Sequence, residues 1–150
     1  MVDLTRFIEL QKIQDEGKFF PILDAVGSLT DLKVKIAGPD SEVQDKAQRE
    51  INKRIAEGRR VGVETSEEAF KEMAIDKLVA SVLAWENLEY QGKPMECTPE
   101  NVRQMLTDYP VFQQQVTFYA SERSLYGPQA DANPASQADA PKAKTGRNKG

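Results

Sequence analysis

Cys97 is the only cysteine in the 150-residue chain, so it is the first side chain to consider for covalent chemistry. Its nearest charged neighbours along the chain are Glu96 and Glu100, and carboxylates close to a thiol raise its pKa. The sequence contains no histidine, which removes the commonest general base at neutral pH and every Ser-His or Cys-His pair. These residue types predict an inert thiol and a protein that is not an enzyme.

Acidic residues form a second candidate site in the segment ETSEE, which contains Glu64, Glu67 and Glu68. Paired carboxylates can hold a hard cation or exchange protons. Acidic side chains are also favoured in the first turn of any helix, because they interact with the positive end of its dipole. The second explanation needs no ligand, so we interpret ETSEE as a helix start and expect no metal and no cofactor.

Basic residues cluster in NKRIAEGRR, where Lys53, Arg54, Arg59 and Arg60 raise the question of nucleic-acid binding. Cations near a helix C-terminus have a structural reason to be there, and no aromatic side chain for base stacking lies among them. Residues 63–126 carry five basic and eleven acidic side chains, a balance that repels phosphate backbones. Nucleic acid is therefore an unfavoured partner.

The composition, with 29% charged and 39% hydrophobic residues, is typical of a soluble globular protein of one domain. No apolar run approaches the roughly 20 residues that span a bilayer, and the first residues lack the pattern of a signal peptide. We expect no membrane association and a location in the cytosol.

The first 40 residues predict a helix and a strand pair. Leu4, Phe7 and Ile8 have helical spacing before Gly17, which predicts a short or partner-dependent helix. FFPIL and LKVKIAG predict two short strands, and the first should lie at a sheet edge because Pro21 cannot donate a backbone hydrogen bond.

The remaining chain to residue 127 predicts helices with recognisable starts and stops. Asp40 or Ser41 can cap a helix that ends near Gly58. Thr98, followed by Pro99, can cap a later one. A last helix begins at Pro110, in the first turn where proline is tolerated, and ends at Gly127.

The longest predicted helix runs from a capping box at Thr65 to about Leu88. One apolar stripe on it is assigned to the core and includes Ala74, Leu78 and Trp85, with Trp85 anchoring the connector that follows. Further apolar residues would lie on the same helix outside this stripe, so that apolar side chains cover much of its circumference. Such a helix is either central to the fold or in contact with a partner. The predicted partner-binding residues are Ile75, Val79, Val82 and Leu83.

Apart from three prolines, the segment at 128–150 has no apolar side chain larger than alanine, which predicts a disordered tail. The expected organisation is an N-terminal segment at 1–17, a helical domain with a strand pair at 18–127, and this tail. The predicted fold class is mainly α (α+β), a small helical domain with an N-terminal two-stranded β element.

Three passages carry a resemblance to a known family. The first is the strand pair leading into IAGPDSEVQDKAQREINKR. The second is LVASVLAWENLEYQGKPMECTPENVRQMLTDYP, in which Trp-x-Asn, Gly-x-Pro, Thr-Pro-Glu-Asn and Leu-x-x-x-Pro follow in order. The third is the closing helix VFQQQVTFYASERSLYG before a low-complexity tail. In order and spacing, most of residues 18–127 resembles the tail assembly chaperones of long-tailed bacteriophages.

The resemblance implies a non-enzymatic protein that binds the tape-measure protein and recruits tail-tube subunits in the cytoplasm of the infected bacterium. It leaves self-association open. Two alternatives remain: a structural tail or head-tail component retained in the virion, and, more distantly, a small enzyme that uses Cys97 or paired carboxylates.

Overall fold

The computed structural model describes residues 1–128, so the predicted tail lies outside the described residues from position 129 onward. Within residues 1–128, five α-helices and five short strands form one small body, which confirms the predicted mainly α fold with a minor β element. In chain order the elements are α1 (Leu4–Glu16), β1 (Lys18–Leu23), β2 (Leu29–Ile36), α2 (Glu42–Arg60), α3 (Glu67–Ser81), β3 (Val82–Glu86), β4 (Glu89–Tyr90), β5 (Lys93–Pro94), α4 (Pro99–Asp108), α5 (Pro110–Ser121) and a 3₁₀ turn (Arg123–Tyr126).

The main sheet is antiparallel with the strand order β1-β2-β3. The strand that contains Pro21 lies at its edge, as the sequence predicts. Side chains of α5 cover part of this edge: the Gln115 amide exchanges two 2.8 Å hydrogen bonds with the Leu23 backbone, and the Tyr119 hydroxyl donates to the Pro21 carbonyl at 2.9 Å. The helix therefore satisfies backbone groups that an edge strand leaves unpaired.

The third strand was not predicted, and it corrects the long helix expected from Thr65 to about Leu88. The helix cap is Ser66, whose hydroxyl accepts from the Ala69 amide at 3.1 Å, and α3 ends at Ser81. From Val82 the chain pairs with β2. Valine, leucine and tryptophan suit a strand as well as a buried helix, so the backbone hydrogen bonds offered by β2 decide the conformation.

Capping residues and prolines in the sequence correctly predicted where α2, α4 and α5 begin. Ser41 caps α2 and Thr98 caps α4, each accepting a hydrogen bond from the backbone three residues on. Pro99 and Pro110 begin their helices, where a missing amide costs nothing. The expected end of α2 at Gly58 is two residues early, since the helix continues to Arg60.

The hydrophobic core lies between the sheet and the helices α4 and α5. Phe20 of β1 stacks on Tyr119 with ring centroids 4.2 Å apart and meets the edge of Tyr126 at 5.5 Å. All three rings are almost fully buried, as are Leu106 and Val116. This aromatic cluster joins the edge strand to α5 and to the 3₁₀ turn.

Helix α1 forms as predicted and docks through polar contacts. The buried Gln14 side chain donates to the Asp40 carboxylate at 3.1 Å and accepts from the Asp40 amide. Arg123 pairs with the same carboxylate and holds the pKa of Asp40 at about 2, below its ordinary value of 3.8. The first residues of the helix are more exposed: Phe7 and Ile8 are 60% and 61% accessible.

Candidate functional site

An open groove of about 820 Å³ lies between α3 and α5, with Pro39 and the start of α2 contributing to its wall. We call it the α3–α5 groove. Its apolar floor combines exposed or half-buried Ala74, Ile75 and Leu78 with buried Ala120. The complete lining is Pro39, Gln44, Lys71, Ala74, Ile75, Lys77, Leu78, Gln113, Thr117, Ala120 and Ser121.

Helix α2 fixes one end of the groove. The Gln44 amide is buried and donates to the carbonyls of Ala37 and Ala120, both at 3.0 Å, which ties the end of α5 to the loop after β2. The Lys77 ammonium donates to the Gln48 side chain at 2.9 Å, which ties α3 to the same helix. Because a buried amide requires its partners, these contacts hold the two groove-lining helices in place.

A charged network fixes the other side of α3. Asp76 accepts from Arg54 of α2 at 3.0 Å and pairs with Arg103 of α4, and Arg103 also reaches Glu72 at 3.2 Å. Burial opposes ionisation of Asp76, but the hydrogen bonds from the two arginines outweigh it and lower the pKa of this carboxyl. The network orients α3 so that its opposite face lines the groove.

The four predicted partner-binding residues do not form one surface. Ile75 and Val79 both pack against the core, and of these two only Ile75 also lines the α3–α5 groove. Val82 belongs to the core and is 7% exposed, while Leu83 is 37% exposed on β3. The expected arc required a helix through all four positions, and that helix ends at Ser81. Partner binding by the four residues stays a prediction, with only Ile75 placed in the groove.

Sequence reasoning missed most of the groove. Ala74 and Leu78 had helical spacing but were assigned to the core stripe, and Leu78 in fact contacts the core and lines the groove as well. The sequence pattern did not identify Thr117 and Ala120 as groove residues, because they line the groove only when α5 lies beside α3. A single-sequence pattern contains no information about that juxtaposition.

The charge of the groove differs from that of the chain around it. Lys71 and Lys77 line it, and none of the described residues in its lining is acidic. Within residues 1–128, Lys71 makes no ion pair and Lys77 bonds only to the neutral Gln48 side chain. The groove is a basic site in a segment where acidic residues outnumber basic ones.

The side chains first considered for chemistry lie elsewhere. Cys97 is half-buried against the core, and burial raises the pKa of its thiol, so the protonated form dominates at neutral pH. The part of the chain that the structure describes contains no group of three or more Cys, Asp or Glu side chains suited to a metal ion. No helix within that part is long and apolar enough to cross a membrane.

Trp85 anchors the connector after β3, as expected. Its indole donates to the Met95 carbonyl at 2.7 Å, and its ring packs against the core. The hairpin of β4 and β5 lies between these two residues, and the left-handed backbone at Asn87, Gln91 and Gly92 makes its turns. The residues around Trp85 therefore serve mainly to hold the fold together.

Comparison with known proteins identifies a family to which the chain is similar. Neither the curated proteins nor the solved structures contain a match to this chain. A protein-family model described as YdaY prophage protein matches residues 40–135, which include α2, α3, α4 and α5 and so both helices of the groove. Because this match covers more than half of the 150 residues, the chain belongs to the YdaY prophage protein family.

Proposed function

We propose that this prophage protein is a non-enzymatic tail assembly chaperone, which holds apolar helical segments of the tape-measure protein and recruits tail-tube subunits in the cytoplasm of the host bacterium. The family supports the phage origin of the protein, while the chaperone role is proposed from the order of motifs within residues 18–127 and from the α3–α5 groove. A chaperone of this kind needs an accessible apolar surface rather than reacting groups.

The observation that carries the proposal is the open apolar floor of the groove. Ala74, Ile75 and Leu78 follow one face of α3, and Ala120 faces them from α5. An amphipathic helix that lays its apolar face between two helices is a recurring mode of protein recognition. A tape-measure chain, being long and partly apolar, offers many such helices.

The test is co-expression with the tape-measure protein from the same prophage. We expect the wild-type protein to keep the tape-measure protein in the soluble fraction and to co-purify with it. Ala74→Trp fills the groove from an exposed position and should abolish capture without unfolding the protein. Ala56→Trp, at an exposed position of α2 outside the groove, is the matched control and should capture normally.

Particle composition separates this function from its closest alternative. A chaperone leaves the assembled tail, so the protein should be absent from purified virions after induction of the prophage. A structural tail or head-tail component would persist there in a fixed number of copies. Detection of stoichiometric protein in washed particles by mass spectrometry would refute the chaperone proposal.

A further inference from the structure

We propose that the α3–α5 groove selects an acidic amphipathic helix, one with large apolar side chains flanked by carboxylates that meet Lys71 and Lys77. This inference rests on the proposed function, because it names the kind of segment that the groove would take from the tape-measure protein. The occupant is therefore a helix of another protein, about two turns of which lie in the groove.

The dimensions of the groove fit a helix of that length. Lys71 and Leu78 are seven residues apart on α3, which corresponds to about 10 Å along the helix axis, or nearly two turns. Two turns present apolar residues at i, i+3 or i+4, and i+7 to one side. Three or four side chains of the occupant can therefore contact the floor.

The small residues of the floor define the size of these side chains. Ala74 on α3 and Ala120 on α5 leave space that the larger Ile75 and Leu78 do not fill. Packing at native density pairs small residues on one surface with large ones on the other. Leucine, methionine or phenylalanine on the occupant meets this requirement.

Charge gives the direction of the selectivity. Both lysines of the lining lack a carboxylate partner within residues 1–128, so an acidic occupant gains ion pairs and a basic one is repelled. The cleft that shares Lys77 is lined by Asp40, Glu42 and Asp45. Asp40 pairs with Arg123, whereas Glu42 and Asp45 share Arg49, so one negative charge of this cleft remains beside Lys77. Lys71, which makes no ion pair within the described residues, is therefore the main cation that the groove offers to an occupant.

The same charges argue against the chain's own C-terminal segment as the occupant. Residues 129–150 contain four basic and two acidic side chains and, apart from two prolines, none that is apolar and larger than alanine. Such a segment offers neither the large apolar groups that the floor accepts nor the negative charge that the lysines attract. A partner helix with both properties is the better complement.

The experiment uses the full chain and two synthetic helical peptides of about 16 residues, a length at which an isolated helix can still form. Both peptides carry the same leucine stripe, and they differ only in having glutamate or lysine beside it. Binding is followed by fluorescence anisotropy at low and high salt. Lys71→Gln/Lys77→Gln is the test variant, and Lys93→Gln, at an exposed lysine outside the groove, is the control.

We expect the glutamate peptide to bind the wild-type protein more tightly than the lysine peptide. The double variant should lose about 2- to 30-fold in affinity for the glutamate peptide, the range for two exposed ion pairs. It should also reduce the discrimination between the peptides, as should high salt, whereas Lys93→Gln should leave both affinities unchanged. Ala74→Trp should abolish binding of the glutamate peptide.

Equal or tighter binding of the lysine peptide would overturn the inference, as would unchanged discrimination in the double variant. Binding that survives Ala74→Trp would place the contact outside the groove and overturn it as well. A wild-type protein that binds neither peptide, whether its groove is empty or filled by a second copy, also contradicts it. These results are independent of tape-measure capture and particle composition, which decide the proposed function separately.

Discussion

A pair of aspartate substitutions at Val82 and Leu83 tests the change from helix to strand that separates the structure from the sequence prediction. On a helix the two residues would lie 100° apart and share much of one side. In the structure Ile36 is opposite Val82 and Lys35 is opposite Ala84, so a bulge leaves Leu83 without an opposite residue. Val82 is in the core, and Leu83 is 37% exposed.

The two substitutions should therefore lower the free energy of unfolding by very different amounts. Val82→Asp loses roughly 1.5–3 kcal/mol of apolar burial and adds about 1–3 kcal/mol for a buried polar group without partners. The combined loss of about 3–6 kcal/mol is a large share of the roughly 5–15 kcal/mol by which a domain is stable. Leu83→Asp keeps its carboxylate in water and should cost only about 1–2 kcal/mol, the apolar burial of a partly covered side chain.

Urea denaturation followed by circular dichroism measures both free energies of unfolding, and thermal melting gives an independent comparison. A difference of about 2–4 kcal/mol corresponds to roughly 4–16 °C in melting temperature for a chain of this size. Val82→Ala and Leu83→Ala separate lost packing from the effect of charge. If the two aspartate variants lose equal stability, the assignment of Val82 to the core and of Leu83 to an exposed bulge of the strand Val82–Glu86 is wrong.

The low pKa of Asp40 stabilises the fold above the ordinary pKa of 3.8, and this contribution is lost as the pH falls through about 2. Arg123→Gln should therefore lower the free energy of unfolding at pH 6 and change it much less at pH 2, as measured by urea denaturation. Trp85→Ala should cost about 3–5 kcal/mol in the same assay, because it removes core packing and the hydrogen bond to Met95; a loss below 1 kcal/mol would contradict the anchoring role. Cys97→Ser should leave tape-measure capture intact in the co-purification assay, and a folded variant without capture would revive an active role for the thiol.

Local chemistry in the sequence determined much of the architecture. The hydroxyls of Ser41 and Thr98 bind amides only three residues away, and Pro99 and Pro110 restrict their own backbone, so these helix starts are readable without the rest of the chain. The alternation in LKVKI likewise places one strand, and Pro21 places its neighbour at an edge. Each of these inferences depends on contacts that are close in sequence.

Tertiary structure alone decided β3 and the groove. The segment VLAWE has side chains that suit a buried helix or a strand, and hydrogen bonds to β2, about 50 residues away in sequence, select the strand. Ile75 was predicted to face a partner, which stays a prediction; its place in the groove depends on Asp76, which arginines of α2 and α4 hold, and on Gln44, which fixes the end of α5. Side chains far away in the sequence therefore decide which face of α3 remains open. The helical periodicity of α3 itself cannot predict where those side chains lie.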